Sequence, residues 1–276
     1  MNNSLIHKTG RKALAHARMA KRRLGPRAAP KGMSMHREGA MSELDAVTLS
    51  TRFPGWLNVP ASIITLHLLT LVPFGPVVEI GVFRGKYLSI LRAAMGASCR
   101  IVGYDIFHQA QAPLVEQEFA KAFGDLGNVK LIQADSTRLT AKRLVSDCGE
   151  KPVFMSVDGS HEAGPVLSDM KLADAVLHEA GIVAMDDVLN PVALGVNEAV
   201  GRFLCESNPA LVPFAYVANK LFFCRPDHHK KYLQHTTEHM EWRGDDPSFA
   251  FYHENTEKGE DLRRKYFGYD VLIVTG

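Results

Sequence analysis

The sequence predicts an α/β protein built on a mostly parallel sheet, and three observations predict it. Apolar runs of strand length alternate with helix-length stretches over residues 76–205. The runs are nearly continuous in apolar residues, as strands buried on both faces are. The last two, LVPFAYV (211–217) and KLFFCR (220–225), are separated only by Ala218 and Asn219, a spacing that asks for a tight antiparallel hairpin.

The elements follow in order. The longest apolar stretch, from Ala61 to Pro73, is broken by Ser62, Thr65, His67 and Thr70 and reads as a core helix. It is well short of the ~20 residues of a membrane span. PVVEIG (76–81) is the first strand, followed by a glycine-containing loop and KYLSILRAAM at helical spacing. CRIVGYD (99–105) is the second, and PLVEQEFAKAFG (113–124) is a helix stopped by Gly124. NVKLIQAD (128–135) is the third, and STRLTAKRLV after it opens on a Ser/Thr cap. PVFMSVD (152–158) is the fourth, VLSDMKLADAVLHEA (166–180) a helix ended by Gly181, GIVAMDD (181–187) the fifth strand and ALGVNEAVGRFL a helix. Residues 226–276 break the alternation. They are rich in charge, histidine and aromatics and are expected to form an irregular extension with one helix near 257–266, a candidate substrate lid. The chain thus divides into a leader (1–45), a main domain (46–225) and an extension (226–276).

The net charge of +2 hides an asymmetry. The first 40 residues hold ten Lys/Arg against the single acid Glu38, leaving 22 Lys/Arg and 29 Asp/Glu elsewhere. The acidic body disfavours a nucleic-acid partner through the folded domain. The leader lacks the apolar core of a secretory signal and is expected to be a flexible tail with a short helix near 10–24. Cys99, Cys148, Cys205 and Cys224 form no CxxC and fit neither a zinc nor a disulfide framework, so they read as reduced thiols of a cytoplasmic protein.

Ligands of an open α/β sheet sit beyond the carboxyl ends of its strands. EIGVFRG (79–85) places Glu79, Gly81 and Gly85 there, the glycines allowing a tight turn and close backbone approach. Asp105 ends the second strand, where an acid can accept both hydroxyls of a ribose. ADS (134–136) ends the third, with Asp135 and Ser136 able to meet an adenine edge. The loop lacks GxGxxG spacing and any GK(S/T), which argues against a dinucleotide site and against a P-loop.

The fourth and fifth strands both stop on carboxylates: Asp158 in VDGSH, then Asp186 and Asp187 in MDDV. If these strands are neighbours they lie about 4.8 Å apart. Three such carboxylates would repel and raise one another's pKa unless a cation joined them, and all-oxygen ligation suits Mg²⁺, Mn²⁺ or Ca²⁺. A helix cap or loop hydrogen bond is the alternative role, most readily for Asp187.

Taken together, these motifs resemble the class I S-adenosylmethionine-dependent methyltransferases over residues 50–225. EIGVFRG matches their E/DxGxxxG motif, Asp105 their ribose acid, ADS their adenine-side loop, and the closing hairpin their antiparallel last strand. The resemblance implies a Rossmann-like, doubly wound sheet of seven strands, with Glu79, Gly81, Gly85, Asp105, Asp135 and Ser136 holding S-adenosylmethionine. VDGSH and MDDVLNP further resemble the cation-dependent O-methyltransferases of the catechol and antibiotic-sugar types, in which such acids hold Mg²⁺. The catechol type carries a lysine three residues past its first metal acid, where this chain has His161; the sugar enzymes place an acid two residues past it, where this chain has Ser160.

His161 is therefore the candidate catalytic base, since an imidazole of ordinary pKa about 6.5 can accept a proton at neutral pH. The expected reaction is metal-assisted O-methylation of a small acceptor, a saccharide among the candidates. A metal-independent N- or O-methyltransferase, a non-catalytic cofactor-binding scaffold and a hydroxylase-like relative stay open, as does a homo-oligomer. HTTEH (235–239) matches a zinc-peptidase pattern but has no third ligand element. Trp242, Phe249, Phe251 and Tyr252 either stack on an acceptor or pack over the sheet.

Overall fold

A computed structural model describes residues 37, 39–108, 110–205, 209–244 and 246–275; nearly all of the basic leader, with its expected helix, lies outside the described residues. The elements are α1 (Glu43–Ser50), α2 (Val59–Leu71), β1 (Val77–Ile80), α3 (Lys86–Met95), β2 (Ile101–Asp105), α4 (Ala112–Phe123), β3 (Val129–Gln133), α5 (Ala141–Cys148), β4 (Phe154–Val157), α6 (Ala163–Val176), β5 (Ile182–Met185), α7 (Leu194–Cys205), β6 (Val212–Val217), β7 (Lys220–Cys224), α8 (Pro226–Arg243), α9 (Ala250–Glu257), β8 (Arg263–Tyr266) and β9 (Tyr269–Ile273). No helix among them is long and apolar enough to cross a membrane.

The strands form one sheet in the order β3-β2-β1-β4-β5-β7-β6-β9-β8. β1 to β5 are parallel, and β7 runs antiparallel to both β5 and β6. The central strands β1, β2, β4, β5 and β7 bury side chains on both faces, which is why their sequences are continuous rather than alternating. Val77, Ile101, Phe154 and Ile182 join the core under α1–α4 and α8, while Val78, Val102, Met155 and Val183 join the one under α5–α7. The long apolar helix, α2, buries every residue from Ala61 to Leu69. α5 is capped by Thr140, whose Oγ1 accepts the Arg143 N–H at 3.2 Å, and Ser136–Arg138 forms a separate 3-10 turn before it.

Two expectations are corrected. Among the described residues the sheet has nine strands, not seven, and residues 226–244 and 246–275 are largely regular. α8 is an 18-residue helix, Gly259 at φ +85° follows the end of α9, and Arg263–Tyr266, expected in a helix, is strand β8. β8 pairs with β9, and β9 joins β6 in parallel through Ala215 and Leu272. The physical cause is burial: Leu262, Val271, Leu272 and Val274 reach the cores only as an extension of the sheet. Phe249 and Tyr252 pack in the core, which settles their alternative in favour of packing. All four cysteines are free.

Candidate active site and cation centre

Backbone strain marks the carboxyl edge of the sheet. Of the seven non-glycine residues with positive φ among the described residues, six lie there: Phe83, Phe107, Asp187, Leu189, Ala218 and Asn219. Such conformations persist only where surrounding contacts impose them, and they concentrate at functional sites.

The first loop is built on Gly81 and Gly85, both at positive φ. Gly81 packs on the tip of β4, since a β-carbon there would stand 2.0 Å from the Asp158 carbonyl oxygen. Gly85 backs onto Phe119 of α4, which a β-carbon would approach to 2.5 Å. Asp105 ties this loop to the next one: its Oδ2 accepts the Phe83 N–H at 2.7 Å and its Oδ1 the Phe107 N–H at 2.6 Å. Beside it opens a cleft of about 450 Å³, lined by Arg84, Phe107, His108, Gln111, Leu114 and Glu118 among others.

Glu79, inside the sheet, is buried, and its Oε2 has no hydrogen-bond partner. Burial pushes its carboxyl well above the usual range; Lys220 opposes the shift and Asp105 and Asp186 add to it. Asp135 is exposed, and Oδ1 alone accepts the N–H and hydroxyl of Thr137, which lowers its pKa. Ser136 donates to Asp169 of α6 at 3.1 Å, and burial raises that carboxyl to about 6.

The strand tips of β4 and β5 bring their acids together. Oxygens of Asp158 and Asp187 and a ring nitrogen of His161 all lie within 4.8 Å of one another. His161 Nε2 is 2.8 Å from Asp187 Oδ2, and the imidazole is half exposed. The loop carrying His161 is pressed against α7 by Gly195, where a β-carbon would stand 2.3 Å from the His161 carbonyl oxygen. Ser160 accepts the Glu162 N–H at 3.1 Å and so shapes that loop. Asp187 Oδ1 accepts from the amides of Asn190 at 2.7 Å and Asn219 at 2.9 Å.

Asp186 faces differently from its neighbours. Its Oδ2 lies 2.6 Å from Lys220 Nζ, and its Oδ1 accepts the Asp187 N–H at 2.9 Å. Burial opposes its charge, but Lys220 more than offsets this and lowers the Asp186 pKa. Asp158 moves the other way, pushed well above the carboxylate range by burial and then by Asp186. The ammonium of Lys220 thus favours charge on Asp186, while burial and the Asp186 carboxylate disfavour it on Asp158. Lys220 also lies 4.3 Å above the Tyr87 ring, whose hydroxyl meets Thr65 of α2 at 2.8 Å.

Lys220, Asn219, Asn190 and Asp169 went unnoticed in the sequence. The one signal for Lys220 was a lysine opening a strand directly after a two-residue turn. HTTEH lies on α8 away from these residues: His239 is buried and stacked on His67 at 4.0 Å, and His235 pairs with Glu238 at 3.4 Å.

Residues 78–188, from β1 to just past β5, match the family model described as a methyltransferase domain. No curated protein sequence matches the chain. Similar solved structures include the apo form of CalS11, a TDP-rhamnose 3'-O-methyltransferase of calicheamicin biosynthesis, at 17% identity over 77% of this chain and 93% of that one, with a TM-score of 0.46. MycE, a methyltransferase of mycinamycin biosynthesis in complex with Mg and SAH, is 17% identical over 66% of this chain and 53% of its own, with a TM-score of 0.47. A putative rRNA-methylase from Clostridium thermocellum is 14% identical over 62% and 97%, with a TM-score of 0.46.

Proposed function

We propose that this chain, whose residues 78–188 match the family model described as a methyltransferase domain, is a class I S-adenosylmethionine-dependent enzyme that methylates a hydroxyl of a small acceptor with the help of a divalent cation. The observation that carries the reading is the meeting of Asp158, Asp187 and His161 donors within 4.8 Å, beside the loop that Gly81 folds against Asp158.

The residues fit the cofactor. Glu79 keeps an unpartnered oxygen under the loop, Asp105 retains lone pairs beyond its two backbone bonds, and Asp135 is engaged through one oxygen only. Glu79, Gly81, Gly85, Asp105, Asp135 and Ser136 are the residues proposed to hold it. They fit a hard cation too. Asp158 and Asp187 offer oxygens free of a resident cation, whereas Asp186 is already balanced by Lys220 and supports them from behind.

When bound, S-adenosylmethionine supplies an electrophilic methyl group and the cation lowers the pKa of a neighbouring hydroxyl. The chain's own residues do the rest. A carboxylate oxygen accepts, so facing Asp187 Oδ2 the His161 ring donates through Nε2 and uses Nδ1 to take the acceptor's proton. Asp187 also stabilises the imidazolium that results. A saccharide hydroxyl is the first acceptor class to assay.

A second reading rests on the same 2.8 Å contact: His161 oriented by Asp187 could act as a base without any metal. Methyl transfer by the full-length protein, assayed against a panel of hydroxylated acceptors with Mg²⁺ and with EDTA, separates the two. A product heavier by one methyl, lost in EDTA and in Asp158→Ala, is expected. Full turnover in EDTA overturns the cation's part, and S-adenosylhomocysteine binding without turnover on any acceptor favours a scaffold.

A further inference from the structure

The β6–β7 hairpin turn sits on the acidic tip of β5. Ala218 at φ +46° and Asn219 at φ +67° form a turn of the left-handed kind that hairpins prefer. From it, two consecutive side chains reach the two consecutive aspartates. The Asn219 amide donates to Asp187 Oδ1 at 2.9 Å, and the Lys220 ammonium meets Asp186 Oδ2 at 2.6 Å. The backbone completes the junction, since the Val188 N–H donates to the Asn219 carbonyl at 2.9 Å.

The two contacts converge on one geometry. Asp187 is held at φ +59°, a conformation that is strained for a non-glycine residue and persists only where its surroundings impose it. Its N–H is fixed by Asp186, which is in turn fixed by Lys220; its Oδ1 is fixed by Asn219, with Asn190 beside it. Only Oδ2 remains for His161. Lys220 is held inside the protein: its side chain is 3% exposed, it lies over the Tyr87 ring, and its charge also bears on Asp158 and Glu79, but its ion pair is with Asp186.

We infer that Asn219 and Lys220 are positioning residues for the reaction, a clamp on the neighbouring antiparallel strand that aims the Asp187 carboxylate at His161. The inference rests on the reading of Asp187 and His161 as the reaction centre. It adds that the hairpin, which touches neither the proton nor the methyl, sets their geometry. Outer partners of this kind typically change metal affinity or activity by about 10–100-fold when removed.

The test uses the full-length protein with two readouts. The first is the ¹⁵N tautomer signature of His161 without added metal or cofactor, which reports the Nε2–Asp187 bond directly. The second is Mn²⁺ affinity by electron paramagnetic resonance. Asn219→Gly keeps the left-handed backbone and deletes the amide. It should move His161 toward mixed tautomers and weaken Mn²⁺ binding about tenfold, with the thermal midpoint little changed. Lys220→Met should disturb the His161 signature and Lys220→Arg restore it. Should Lys220→Met not fold, Asn219→Gly and Lys220→Arg carry the comparison. A wild-type His161 signature in Asn219→Gly overturns the clamp. If wild type binds no Mn²⁺, the cation reading fails by itself and the tautomer pattern still decides the clamp.

Discussion

Gly81 and Asp158 touch backbone to backbone: a β-carbon on Gly81 would stand 2.0 Å from the Asp158 carbonyl oxygen and 2.7 Å from the Gly159 Cα. The loop proposed to hold the cofactor and the acid at the tip of β4 are therefore one packed unit, and neither can shift alone. Gly81→Ala must push the two strand tips apart and adopt φ +89° with a side chain. Strain and overpacking of roughly 1–3 kcal/mol each are expected. Differential scanning calorimetry should show a midpoint lower by roughly 5 °C or more, and calorimetric titration should show lost affinity for S-adenosylhomocysteine. An unchanged affinity would detach the cofactor loop from the acid site.

Asp105 serves two loops through two short bonds to backbone N–H groups, at 2.7 and 2.6 Å. Hydrogen bonds to a charged group contribute about 1.5–3 kcal/mol each. Asp105→Asn, with a donor turned toward a donor, should raise amide hydrogen exchange at Phe83 and Phe107 and weaken S-adenosylhomocysteine binding by at least tenfold. Rapid exchange with intact binding would confine Asp105 to holding the loops.

The His67–His239 stack predicts an acid-sensitive junction between α2 and α8. Burial lowers His67 to about 4 and His239 to about 2, and Arg243 lies close to both. Both rings are neutral when folded but take protons near pH 6.5 when unfolded. The unfolded chain thus binds more protons below pH 6.5, so stability is full above that pH and declines as pH falls toward 4. His67 alone accounts for a loss on the order of 3 kcal/mol. Urea midpoints at pH 7.5 and 4.5 measure it. His239→Phe, which keeps a stacked ring and removes one titrating group, should flatten the dependence; an identical slope would remove the pair from the explanation.

Arg243 holds the N-terminal helices to the C-terminal ones. It reaches Glu43 of α1 at 2.8 Å and Asp246 at 2.7 Å, and its side chain is buried. Arg243→Met leaves two carboxylates uncompensated, a change that costs roughly 3–5 kcal/mol when one partner of a buried ion pair is removed. A urea midpoint within error of wild type would show that solvent replaces the pair.

The alternation from Val77 to Cys224 was legible because most strands there are apolar on both faces and several helices have a glycine stop, as at Gly124 and Gly149, although α6 ends at Val176 on Leu177, short of the expected Gly181. The final hairpin was hidden for the opposite reason. β8 reads RRKY, exposed along most of its length, so no apolar period announces a strand. Its turn places Phe267 at φ +48° before Gly268, without the Asn-Gly pair that usually signals such a turn. At the site, the three aspartates were visible as acids ending apolar runs. The partition among them was not. It depends on Lys220, whose burial follows only once β7 is known to lie beside β5.

One border of the sheet is β3 and the other is β8, where Arg263, Arg264 and Lys265 stand outward, with Arg263 joined to Asp261 and Lys265 to Asp270. Long hydrated cations along an open rim deter a further strand from docking there. A second copy approaching edge to edge would have to strip these groups of water and set like charges opposite each other. Any pairing of subunits is thereby steered away from the β8 rim.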